Sequence, residues 1–226
     1  MSIYKNLYST SSLLTHPTRM AVLIALSDGN SLPAGELAQI AHVSPQTMSE
    51  HLTKLVKAEM LIKHKSGKHR YYRIANSRVV EVVEAIANLT PAIETSSLKD
   101  SIDKQALSLA RTCYGHVAGK LGIQLTEALI TLEYIQDLGN SGKLTNKGFQ
   151  WCQNFGLVLS KKSVQESIPY HVDWTERKFH IAGPFALKLT KRLFELGWIK
   201  NGTTRRSIVV TQIGKEKLEQ EFNISL

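Results

Sequence analysis

The sequence predicts a mainly helical α+β chain with small β hairpins. It is expected to form one unit over residues 1–95 and a second, wing-like α+β unit over residues 96–226. Three observations carry that expectation. Amphipathic segments with clear stop signals run from Tyr4 to Glu59 and lead into a basic, hairpin-like segment ending at Ile74. A polar stretch, Thr95 to Asp103, reads as a linker. A chain of 226 residues with 42% hydrophobic and 21% charged residues allows each half its own core and excludes wholesale disorder.

Each element has a local reason. Tyr4 to Thr15 reads as a short amphipathic helix with Leu7, Leu13 and Leu14 apolar. His16-Pro17-Thr18 breaks it, and Pro17 suits the first turn of a new helix through Met20 to Leu26. Asp28-Gly29-Asn30 stops that helix, and Pro33 opens a third through Leu37 and Ile40. After the turn at His42-Val43, Ser44 is a good N-cap with Pro45 at the first helical position. The fourth helix then runs from Pro45 to about Glu59, with Met48, Leu52, Leu55 and Val56 on one face. Leu61 to Lys65 and His69 to Ile74 are strands joined by Ser66-Gly67-Lys68, where Gly67 suits the positive φ of a hairpin turn. Asn76 caps a helix through Val79, Val82, Val83, Ile86 and Leu89, ended by Thr90-Pro91.

Three helices followed by a basic hairpin make a winged helix-turn-helix. The net charge is +9, which favours a polyanion partner without proving one. The local charge says more. Between residues 54 and 73, Lys54, Lys57, Lys63, Lys65, Lys68, Arg70 and Arg73 stand against Glu59 alone, with His64 and His69 interleaved. The helix beginning at Ser44 would offer its first residues to base edges in the major groove. Gln46 can pair bidentately with adenine, and Thr47 can touch a thymine methyl. Ser44 and Thr47 at the positive helix end could instead hold phosphates. The DNA-facing residues expected are Ser44, Gln46, Thr47, Ser49, His51 and Lys54 on the helix, with Lys65, Lys68, His69 and Arg70 on the wing. Use of the winged helix for protein contact is the competing reading.

These residues resemble the arsenic- and metal-sensing repressor family, ArsR/SmtB. The resemblance rests on His16-Pro17-Thr18-Arg19, the run Val43 to Leu52, Ala58-Glu59-Met60-Leu61-Ile62, and the wing ending Tyr71-Tyr72-Arg73-Ile74. It covers roughly the first 90 residues. It implies a homodimeric repressor that binds an imperfect DNA palindrome and releases it when an effector binds. It also implies dimerisation through the first and last helices of this unit. The stripe Val79, Val82, Val83 and Ile86 fits that role, with intrachain packing as the alternative. The sequence departs from the family where metal is usually bound. The third helix carries Glu36-Leu37-Ala38-Gln39-Ile40 without a thiol, and the last helix offers Glu81 and Glu84 but no His or Cys.

The second half reads as a helix from Lys104 to Lys120, mixed helical character from Leu125 to Leu138, and a turn at Gly139-Asn140-Ser141-Gly142. A helix from Phe185 to Leu196 follows, with strands at Trp198 to Lys200 and Ser207 to Val210 about Asn201-Gly202. Leu144-Thr145-Asn146-Lys147-Gly148 and Val210-Thr211-Gln212-Ile213-Gly214 echo one another, too briefly to establish a repeat. Two segments concentrate chemistry: Ala110 to Gly119, and Asp173 to Gly183. They look like the paired signatures of a long subgroup of the family. On a helix, Cys113 and His116 would share one face.

The effector-binding candidates are Cys113, Tyr114, His116, Asp173, Trp174, Arg177 and His180. Three readings stay open. In one, Cys113, His116, Asp173, Glu176 and His180 bind a metal ion. In another, Tyr114, Trp174, Arg177 and Phe179 line a pocket for a small organic effector. In the third, Asp173 and Glu176 form a capping box with ion pairs to Arg111 and Arg177. A reactive Cys113 thiol is a further option. Cys152, among Phe149, Trp151 and Phe155, reads as a buried small hydrophobe.

No cofactor is required by any motif, and no phosphate loop, dinucleotide fingerprint or nucleophile elbow is present. No apolar run approaches the ~18 residues of a membrane span. The expectation is a non-enzymatic, cytoplasmic homodimer on operator DNA, without membrane contact. The alternatives are thiol- or metal-dependent catalysis in the second half, or sequence-independent architectural DNA binding.

Overall fold

A computed structural model describes residues 4–89, 97–159 and 166–226. The chain divides into two compact units, Met1–Ile86 and Ala87–Leu226.

In the first unit, α1 (Lys5–Leu14) leads into α2 (Pro17–Leu26), whose cap is the His16 ring accepting from the Thr18 N–H. Arg19 of α2 donates to the carbonyls of Leu13 and Ser12, tying the two helices together. β1 (Leu32–Pro33) was not expected from the sequence. It precedes α3 (Ala34–Ile40) and pairs with the later wing. α4 (Pro45–Lys57) starts at Ser44, whose hydroxyl accepts from the Thr47 N–H. β2 (Leu61–Ser66) and β3 (His69–Ile74) pair antiparallel about Gly67, which has φ 58°. α5 (Ser77–Leu89) follows, with the Asn76 side chain accepting from Arg78 N. Leu23, Leu26, Leu37, Met48, Leu52, Leu55 and Ile74 are fully buried, so the expected apolar faces build the core.

The second unit departs further from expectation. The helix expected from Lys104 to Lys120 is not formed. Instead α6 (Leu98–Leu109) ends early, and β4 (Arg111–Cys113) and β5 (His116–Ala118) form a hairpin. Its turn is Tyr114-Gly115, with φ 49° and 88°, the left-handed pair that a tight hairpin needs. α6 also begins inside the stretch read as linker, with Ser97 as its cap. Residues 90–96, including Thr90-Pro91 and the start of that linker, lie outside the described residues.

From β4 onward the unit is an internal duplication. The first copy runs β4, β5, α7 (Lys120–Thr131), β6 (Ile135–Asp137), β7 (Ser141–Leu144) and α8 (Asn146–Asn154). The second runs β8 (Ile168–Val172), β9 (Phe179–Ile181), α9 (Gly183–Glu195), β10 (Ile199–Asn201), β11 (Ile208–Val210) and α10 (Gln212–Phe222). His116-Val117-Ala118-Gly119 matches His180-Ile181-Ala182-Gly183 at an offset of 64 residues. Gly119 and Gly183 both turn the chain with φ near 75° before their helices (77° and 72°). Thr145 and Thr211 each cap a helix by accepting from the N–H of Gly148 and Gly214, and each also donates to the carbonyl of a facing residue, Glu133 or Gly197. The short echo visible in the sequence is therefore one end of a full structural repeat.

The copies grip each other reciprocally. The Val117 N–H donates to Thr190 Oγ1 at 3.0 Å, and the equivalent Ile181 N–H donates to Thr126 Oγ1 at 2.9 Å. Such an exchange is the arrangement of a two-fold interface, here within one chain. One core serves both copies. Tyr134 stacks on Trp151, and Trp151, Phe155, Trp198 and Phe222 form a continuous aromatic group.

Candidate functional site

Two places carry chemistry, one in each unit. In the first, Ser44, Gln46, Thr47, Ser49 and Lys54 are all exposed on α4, and Lys65, Lys68, His69 and Arg70 are exposed on the wing. Met48, Leu52 and Leu55 anchor the opposite face of α4, so the polar face is held outward by core packing. Ser44 and Thr47 are partly engaged with each other, their hydroxyls 2.9 Å apart. His51 departs from the expected set. It is buried, with its ring 4.3 Å from that of His16, and burial pushes its pKa down. It packs α4 against the start of α2 rather than facing outward.

In the second unit the structure brings together Cys113, His116 and His180, as expected, and adds His171. All four are buried, and one ligand atom from each lies within 4.8 Å of the others. Topology explains the grouping. Cys113 and His116 face each other across β4–β5, and His171 and His180 face each other across β8–β9. The duplication makes His180 the counterpart of His116, and His171 the counterpart of Cys113. His116 Nε2 and His180 Nε2 are 3.2 Å apart, and Cys113 Sγ and His171 Nδ1 are 3.8 Å apart. Burial pushes the pKa of His116 well below its usual value and that of His180 to about 3, so both rings are neutral at physiological pH. The Nδ1 atoms of His116 and His180 are buried, without a hydrogen-bond partner among the described residues.

Asp173 lies beside this group, not in it. Its Oδ2 accepts from Arg111 Nη2 at 2.9 Å and from the Gly119 N–H at 2.6 Å, and its Oδ1 accepts from the Thr175 hydroxyl and the N–H groups of Thr175 and Glu176. Burial alone would push the carboxyl up. The Arg111 guanidinium and these hydrogen bonds outweigh it and hold the pKa at about 2. Arg111 is fully buried and also lies over the Trp174 ring at 4.9 Å. The ion pair expected between Asp173 and Arg111 is therefore present. Glu176 is exposed and not one of the four grouped residues; Arg177 is exposed too, and Tyr114 and Trp174 are half-buried.

The reactive-thiol option meets a correction. Cys113 is fully buried, and access is needed for thiol chemistry. Cys152 is buried too, and its thiol is pushed up to about 12. Neither is expected to react with a bulky aromatic disulfide reagent in the native protein, and both should titrate after unfolding. Rapid native labelling of Cys113 would show that the site opens.

His171 could have been found from the sequence. Aligning His116-Val117-Ala118-Gly119 on His180-Ile181-Ala182-Gly183 directs attention to the strand before His180, as it does to Cys113 before His116.

The comparisons with known proteins match most of the first unit to a helix-turn-helix domain and relate the whole chain to a helix-turn-helix regulator. A helix-turn-helix domain model matches residues 14–64. The chain is 36% identical over 223 residues to the "uncharacterized HTH-type transcriptional regulator YdfF" of Bacillus subtilis, covering 98% of this chain and 99% of that one. It is 32% identical over 76 residues to the cadmium resistance transcriptional regulatory protein CadC of Listeria innocua, covering 34% of this chain and 64% of that one. Among solved structures, NolR from Sinorhizobium fredii is matched over 41% of this chain and 91% of its own, at 21% identity and a TM-score of 0.38. With a helix-turn-helix presenting a polar face beside a basic wing, and with a regulator related to it from end to end, the chain belongs to the helix-turn-helix transcriptional regulators.

Proposed function

We propose that the protein is a homodimeric repressor that acts in the cytoplasm on a palindromic operator, and that the second unit senses an effector which changes operator affinity. In this reading Gln46, Thr47 and Ser49 face base edges, while Ser44, Lys54, Lys65, Lys68, His69 and Arg70 face phosphates. The observation that carries it is the exposed polar face of α4 beside an exposed basic wing. Dimerisation is supported by the apolar side chains that α1 and α5 leave exposed. Leu7 and Tyr8 are 61% and 59% exposed, and Val82 is 44% exposed. One solved neighbour, from Mycobacterium bovis, is described as a homodimeric winged helix-turn-helix DNA-binding domain. The second unit is read as sensing rather than catalytic because its Cys and His groups are buried. Among the described residues no helix is long and apolar enough to cross a membrane.

Binding to the protein's own promoter under a salt titration tests this. Affinity should fall steeply with salt, and the double replacement of Lys65 and Lys68 by Ala should weaken all sequences alike while reducing the log–log slope by about 2. Gln46→Ala should instead relax preference at one base pair, by about 1–3 kcal/mol of discrimination. Equal affinity of the wild type for scrambled DNA would refute the operator reading and favour an architectural binder.

A further inference from the structure

We propose that the second unit holds one four-coordinate transition-metal ion of borderline softness, of the Zn2+ type, bound by Cys113 Sγ and one ring nitrogen each from His116, His171 and His180. One thiolate and three imidazoles are the donors that such an ion prefers, whereas oxygen-seeking ions such as Mg2+ and Ca2+ do not.

The spacing fits. A tetrahedral ion with metal–nitrogen bonds of about 2.0–2.1 Å and a metal–sulfur bond of about 2.3 Å sets its donors about 3.3–3.6 Å apart. The observed 3.2 Å between His116 and His180 and 3.8 Å between Cys113 and His171 lie on either side of that range, and all four donor atoms lie within 4.8 Å of one another, so the group needs only a small contraction to close around an ion. Two neutral imidazoles meeting through Nε2 can share only one proton. In that contact one ring is left with a buried Nδ1 lone pair and the other with a buried Nδ1–H, and neither Nδ1 has a hydrogen-bond partner among the described residues. An ion between the two Nε2 atoms would put the remaining proton of each ring on Nδ1. For His180 that proton would face Asp173 Oδ2, 3.8 Å away. A carboxylate behind a ligating histidine is a recurrent means of fixing its tautomer and raising its basicity. Asp173 is in turn held by Arg111 and Gly119.

The fold prepares the site from both halves of the duplication, since each hairpin supplies an opposed pair of donors. The reciprocal bonds of Thr126 and Thr190 lock those hairpins together. Four protein donors complete a tetrahedral shell and leave no position for a substrate, as in structural or sensing sites rather than catalytic ones. Binding releases the Cys113 thiol proton to solvent. The site deepens the sensing reading, and depends on it only for the consequence at the operator.

The test uses the full chain, reduced and stripped with a chelator. Zn2+ titrated against a chromophoric competitor should bind at one ion per chain. Co2+ should give the intense visible bands of a tetrahedral ion and a sulfur-to-cobalt band in the near ultraviolet. Cys113→Ser should remove the ultraviolet band and keep the visible ones, while Cys152→Ser should change neither. Substoichiometric uptake, or the weak visible spectrum of an octahedral ion, would overturn the proposal on wild-type protein alone, whatever the folding of the Cys113 variant. So would a sulfur band that disappears with Cys152 instead. Operator affinity of the stripped and Zn2+-loaded protein separates the two claims: a loaded site with unchanged affinity would overturn the sensing reading and leave the metal site standing.

Discussion

Asp173→Asn is expected to destabilise the second unit by about 3–5 kcal/mol, because it leaves the guanidinium of Arg111 buried and uncompensated. Both side chains are fully buried, with 2.9 Å between Nη2 and Oδ2. Arg111 keeps a hydrogen bond to the Leu107 carbonyl and the contact with Trp174, but neither supplies a negative charge. The substitution keeps the shape and part of the hydrogen bonding, so the loss reports charge rather than packing. Trp151, Trp174 and Trp198 are all the tryptophans of the chain, and all lie in this unit. Denaturant unfolding followed by tryptophan fluorescence therefore isolates it. A loss under about 1 kcal/mol would mean that solvent already compensates Arg111.

The pair also fixes the sign of an acid dependence. The Asp173 carboxyl is held at about 2 in the folded protein, against about 3.9 in an unfolded chain. Its contribution to stability is complete above the unfolded value and disappears as pH falls toward the folded one. The wild type should lose stability between about pH 5 and pH 2, and Asp173→Asn should lose less over the same interval.

Gly214→Ala and Gly148→Ala are expected to destabilise the same unit, each toward the upper end of about 1–3 kcal/mol. Helix propensity alone predicts the opposite sign, since Ala is better than Gly in a helix by about 1 kcal/mol. Packing decides. A β-carbon at Gly214 would run into the carbonyl oxygen of Trp198, and one at Gly148 into that of Tyr134. Those carbonyls cannot easily retreat, because each accepts from the N–H of the threonine that caps the helix, Thr211 or Thr145. Gly35, exposed on α3 with nothing near its would-be β-carbon, is the control. Gly35→Ala should gain up to about 1 kcal/mol. Thermal unfolding by circular dichroism for Gly35→Ala, and by fluorescence for the other two, checks all three signs. A gain at Gly214 would refute the close backbone approach.

The first unit was largely legible because its signals are local. Pro17 and Pro45 at helix starts, Ser44 as a cap and Gly67 in the wing act on their own neighbours. Even there, β1 has no local signal, since two residues have no period and take strand geometry only by pairing with Tyr71 and Tyr72. His51 turns inward, and helical position does not say which side chain meets His16.

The second unit misled where local propensity and tertiary pairing disagreed. The segment from Lys104 to Lys120 contains helix-tolerant residues, yet Tyr114-Gly115 and Gly119 take left-handed φ, and β4–β5 pairs instead. That change moves Cys113 and His116 from one helix face to opposed positions on a hairpin, and makes room for His171.

Local signals in the sequence are enough to place the helix-turn-helix, the wing, most of the polar and basic residues beside it, and the two segments where chemistry gathers. Only the tertiary structure decided which of those residues meet. The physical reason is range. Caps, turns and amphipathic stripes act over a few residues, whereas Cys113, His116, His171 and His180 converge because two copies of one fold pack reciprocally, across 64 residues of chain between the two equivalent histidines.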